Sequence, residues 1–117
     1  MVEDQDKRLE AVYMFKKRLE NAQKRLLRDR GIHQENKQKI LEFIKHLKSK
    51  GRSDPTQIKY LIRLTRLASM LGKEFSKCNK RDIQELVEHI RTKQDWSDNT
   101  KEAYKIALKV FFPWLRG

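Results

Sequence analysis

Cysteine occurs once in this chain, at Cys78, so no disulfide can close within it and a reducing, intracellular (cytoplasmic) setting is expected. Proline occurs twice and glycine four times in 117 residues, too few to punctuate a set of short strands. Hydrophobic residues make up only 38%, so the core must be single and lean. No apolar run approaches the roughly 20 residues of a bilayer-spanning helix, and the polar start Met1–Arg8 has no signal-peptide core behind it. A membrane partner is therefore not expected.

Catalytic and metal chemistry are equally short of material. His33, His46 and His89 stand on three separate stretches, with no pair at the i, i+3 or i+4 spacing that a helical metal site uses. Cys78 has no CxxC partner. It reads as a small packed residue, or as a thiol lowered in pKa by a following helix start but lacking a base. There is no glycine-rich phosphate loop and no carboxylate pair in an apolar surround. No cofactor, metal or catalytic centre is expected.

What the chain has is positive charge: 28 Lys and Arg against 16 Asp and Glu, a net +12. Such an excess opposes compaction and favours association with polyanions, whether nucleic acid or an acidic membrane surface. A uniformly solvated, lysine-rich coat is the plain alternative. The excess peaks in residues 31–78, with eleven basic against four acidic side chains, which suggests a footprint.

Apolar residues recur every three or four positions between the few breakers, so the fold class is all-α. A first helix spans about Gln5 to Arg30, with Leu9, Val12, Phe15, Leu19, Ala22 and Leu26 on a thin, drifting stripe and Gly31 as its stop. It is either docked on the rest or a partly frayed arm. A second helix covers Gln34–Lys50, burying Ile40, Leu41, Phe43, Ile44 and Leu47, and Gly51 ends it. The third opens at Asp54-Pro55, with Asp as cap, carries Ile58, Leu61, Ile62, Leu64, Leu67, Ala68 and Leu71, and closes at Gly72. The fourth is capped by Asn79, with Ile83, Leu86, Val87 and Ile90 on one face. The fifth begins near Ser97 or Asp98, turns Ala103, Tyr104, Ala107, Leu108, Phe111 and Leu115 inward, and is kinked or ended by Pro113. The last four form a bundle, residues 32–117; residues 1–31 are an N-terminal helical extension.

Two helix openings echo each other: Ser53-x-x-Thr56-x-x-x-Tyr60-x-x-x-Leu64 and Ser97-x-x-Thr100-x-x-x-Tyr104-x-x-x-Leu108. Hydroxyls at a helix start serve as caps, and the free amides there also favour an anion. Each opening leads into a cationic row. Lys50 and Arg52 precede Lys59, Arg63 and Arg66, while Lys101, Lys105 and Lys109 share a face further on. Rows of this kind suit phosphate contacts, and Arg63 and Arg66 also have the fork for a guanine edge. The expectation is that both rows converge on one side of the bundle. Trp96 either staples the turn before the fifth helix or faces a groove; Trp114 caps the bundle or marks an outside contact.

These openings, with Lys80-Arg81-Asp82-Ile83 after the turn Phe75–Asn79 and the ending Leu108-x-x-Phe111, resemble the N-terminal core-binding domain of tyrosine recombinases, the phage-integrase and Xer-like family. The resemblance covers about Gln34 to Gly117, and its lysine-rich character is similar to that of archaeal proteins. It implies a four-helix, SAM-like orthogonal bundle that grips one side of a recombination-site duplex for DNA integration or excision. The partners it implies are double-stranded DNA, further recombinase protomers on that DNA and the catalytic domain of the same parent, with the cleaving residues in that downstream domain. It carries DNA contact to Ser53, Thr56, Lys59 and Arg63, and to Ser97, Asn99, Thr100, Lys101 and Lys105. The extra first helix is then a family extension, a partner-binding arm or an additional DNA contact. A helical protein-interaction module, or an unrelated helical nucleic-acid-binding regulator, are the alternatives.

Overall fold

The computed structural model describes the backbone of residues 2–117 and the side chains of residues 7–117. Five α-helices and one 3-10 turn follow in order: α1 (Val2–Arg28), α2 (Gln34–Ser49), α3 (Asp54–Leu71), the turn Phe75–Lys77, α4 (Lys80–Arg91) and α5 (Asp98–Arg116). Among the described residues there is no strand. The architecture is the all-helical bundle expected.

Local chemistry sets the helix ends. Asn79 and Asp82 form a reciprocal capping box on α4, each side chain accepting from the other residue's backbone N–H at 3.0 and 2.9 Å. That backbone amide, with the Lys73 ammonium 3.0 Å away, holds the Asp82 carboxyl below the usual carboxylate range. Gly51 and Gly72 take the left-handed conformation just past α2 and α3. The cap of α3 is Ser53, not Asp54: its Oγ accepts from the Thr56 N–H, and Asp54 sits in the first turn, where its charge meets the positive end of the helix.

Two helix ends differ from expectation. α1 stops at Arg28, ahead of Gly31, whose N–H is taken by the Asp29 carboxylate at 2.8 Å in a tight turn. α5 runs through Pro113 to Arg116. Proline removes one N–H but fixes a helical φ, and Pro113 is exposed, so its ring is accommodated near the helix end.

The core is aromatic at its centre. Phe43 of α2 packs edge-on against Tyr60, Phe111 and Trp114 at centroid separations of 5.8, 5.4 and 5.1 Å, and Phe75 does the same against Phe111 and Phe112. Trp114 therefore caps the bundle from inside. Leu26, Ile40, Leu61, Leu64 and Ile90 surround this centre. Ile62, expected in the core, is 51% exposed, because it turns toward the side of α3 along which α1 lies. Leu41 is only partly covered.

α1 is part of the same core at its foot and free of it elsewhere. Leu26 is completely buried, Leu19 and Ala22 pack against the core, and the buried Lys37 of α2 donates to the carbonyl of Leu27 at 2.9 Å, closing the end of α1. Leu9, Val12, Tyr13 and Met14 are exposed, so the apolar stripe continues past the bundle uncovered.

One buried amide fixes the turn between α3 and α4. Asn36 donates Nδ2 to the Lys73 carbonyl and accepts the Phe75 N–H at its Oδ1, both at 2.8 Å. Deleting it leaves two backbone groups without partners. Asn36→Ala should lower stability by about 2–4 kcal/mol in urea unfolding. Asn36→Asp, which keeps the acceptor but sets a carboxylate against a carbonyl, should not recover it.

Candidate nucleic-acid interface

Every named site residue lies on the described surface, but the two openings do not sit side by side. Tyr60, near the start of α3, and Trp114, near the end of α5, both pack on Phe43. Arg66, in the second half of α3, stacks over Trp96, just ahead of α5, with its guanidinium carbon 5.1 Å from the ring centre. The two helices thus run in opposite senses. Ser53 lies thirteen residues of helix before Arg66, about 20 Å along α3. The sequence echo reflects a shared capping solution. In both, the serine Oγ accepts from the threonine N–H and the two hydroxyls lie 3.0 Å apart.

The two rows border different grooves. Lys105 and Lys109 border a groove between α5 and α4, floored by Ile83, Val87 and Leu108. Lys101 donates to the Arg91 carbonyl at 3.0 Å and so closes the end of α4. Lys59, Arg63 and Arg66 belong to the outer side of α3, with Arg66 also bordering the groove between α3 and α1. On α5, Lys105 and Lys109 stand toward α4 while the buried side of the helix is taken up by the core.

What joins α3 to the start of α5 is Trp96. Its ring stacks on Tyr104 with centroids 4.4 Å apart, while Arg66 and Lys93 both approach it at 5.1 Å. It staples the turn, as one reading had it, and at the same time gathers two cations. Lys93 was not singled out in the sequence; its nearness to Trp96 in the chain was the available signal. Lys50, Arg52 and Asn99 are exposed near the two openings.

Ion pairing divides the molecule. Among the described residues the ion pairs are Lys39–Glu42, Lys73–Asp82, Lys77–Glu74, Arg81–Glu85, Arg91–Glu88 and the contact His33–Glu74. All lie on α2 or its cap His33, on α4, or on the turn between α3 and α4. Lys50, Arg52, Lys59, Arg63, Arg66, Lys105 and Lys109 join none of them. Cations without carboxylate partners keep their charge available to an outside anion.

The three histidines are apart: His46 packs on Phe43 and Trp114, His33 meets Glu74, and His89 is exposed. No cluster suited to a metal occurs among the described residues, and no described helix is long and apolar enough to cross a membrane. A family model described as the phage integrase N-terminal SAM-like domain matches residues 40–117. No curated protein and no solved structure matches the chain.

Cys78 is half-buried, with its Sγ 3.5 Å from the Glu74 carbonyl, and burial pushes its thiol up rather than down, aided by the neighbouring Asp82. The helix-start lowering that the sequence left open does not prevail. A thiol reagent at pH 8 should therefore modify Cys78 more slowly than free cysteine, and the rate should still be climbing above pH 9.

Proposed function

The chain belongs to the phage integrase N-terminal SAM-like domain family, and from that premise we propose that it is a DNA-gripping domain of a site-specific tyrosine recombinase. In this reading it holds one side of a duplex through phosphate contacts, and strand cleavage belongs to a separate catalytic domain of the parent protein. The footprint centres on α3, with Lys59, Arg63 and Arg66, and passes over Trp96 and Lys93 to Ser97, Asn99 and Thr100.

The observation that carries this reading is that no basic residue of α3 joins an ion pair. Among the described residues the pairs gather around α2, α4 and the turn between α3 and α4, where Lys45, Lys48 and Lys80 also stand outside them. The helix starts at Ser53 and Ser97 add backbone amides to that surface. Because Lys105 and Lys109 border the α4–α5 groove, they make a secondary contact or none, and Lys101 serves first as a cap.

A second reading has its own observation. The exposed Leu9, Val12, Tyr13 and Met14 suit a protein partner, and on that reading the charge only solubilises. The two separate in one titration. Binding to a labelled duplex, measured against salt, should give a slope of log affinity on log salt near −4 to −5 if about five phosphates are neutralised. Lys59→Ala with Arg63→Ala should weaken binding on every duplex sequence and reduce that slope by about 2. Concentration-dependent self-association in sedimentation, with no duplex binding at low salt, would favour the interaction module.

A further inference from the structure

α1 lies outside the matched family region for its whole length, and its place against α3 gives it a role. The foot of α1 meets the start of α2 through Lys37, and the start of α2 meets the end of α3 through Asn36. From there α1 runs back beside α3, and the two enclose an open groove of about 500 Å³. Its rim carries Arg18 and Arg25 from α1 and Arg66 from α3; Asn21 adds an amide, and Ile58 and Ile62 form the floor. We propose that this groove is a second phosphate-binding surface, so that α1 extends the grip on the same duplex beyond α3.

Charge commits the occupant. Arg18, Arg25 and Arg66 join no ion pair among the described residues. The rim also carries one carboxylate, Asp29, which accepts from the Gly31 N–H and offsets one of the three charges. Three guanidiniums against one carboxylate leave the trough net positive and favour an outside anion. Arg18 and Arg25 are two turns apart on the same face, about 10 Å along the helix, so their side chains can reach separate phosphates of one DNA strand. The apolar floor suits the sugars between those phosphates. Arg66 belongs both to this groove and to the Trp96 cluster, so the new surface is continuous with the one proposed above.

The inference rests on the DNA-gripping reading, and its test keeps the two apart. The full chain carrying Arg18→Gln and Arg25→Gln is titrated with a duplex of about 30 base pairs at several salt concentrations. Both arginines are exposed, and circular dichroism checks the fold. Affinity should fall about tenfold and the salt slope should become shallower by about 2, equally on unrelated sequences. Arg18→Lys with Arg25→Lys should keep the wild-type slope. Unchanged affinity and slope in the Gln variant, while Lys59→Ala with Arg63→Ala loses binding, overturns the groove and leaves the parent reading standing. Wild-type protein that binds no duplex overturns both. Loss of self-association in the Gln variant with DNA affinity intact would assign the groove to a second copy and overturn the proposal.

Discussion

The amide of Asn36 is the constraint on which the rest of the bundle depends. A turn between two helices leaves polar backbone groups that must be satisfied wherever water is excluded. Here one side chain on α2 meets a carbonyl and an N–H two residues apart in the turn that follows α3. That contact places Phe75 in the core against Phe111 and Phe112, and it sets Lys73 where it can pair with Asp82 at the start of α4. The Glu35 carboxylate, next in sequence, binds the same turn at Ser76. Four elements are thus registered by one short polar patch. Aromatic packing then fills the volume that this registration defines.

Ion pairs in the finished molecule gather around α2, α4 and the turn before α4. On α2 and α4, basic and acidic residues meet at helical spacings, and each pair adds only a few tenths of a kcal/mol at the surface. Along α3 and the neighbouring side of α1 the same basic residue types join no ion pair among the described residues. Trp96 bridges this part to the start of α5 by holding Arg66 and Lys93 beside one ring.

Much of the fold was legible in the sequence. Spacing gave all five helices, and Asn79, Gly51 and Gly72 marked their ends for local reasons that no distant contact overrides. Asn36 and Lys37 were not legible. A polar residue early in a helix reads as surface, and only partners up to 39 residues away make it buried. Ile62 failed in the opposite way, since periodicity identifies an apolar face but not how fully a neighbour covers it. The candidate site shows the same boundary. The Ser-x-x-Thr openings read as helix starts, with Asp54 taken for the cap that Ser53 supplies, but capping is decided within one turn and carries no information about how two helices lie against each other. Hence the antiparallel arrangement of α3 and α5, and the assignment of Lys105 and Lys109 to the α4 side, emerged only in three dimensions.

The seating of α1 has a mechanical consequence. A helix of 27 residues is a rod about 40 Å long, and here its buried contacts lie in the last third, beside Leu26 and the Lys37 bond to Leu27. A rod clamped at one end works as a lever. A tilt of a few degrees at the clamp sweeps the opposite tip through several ångströms, so small changes in packing around one lysine set the reach of the whole arm.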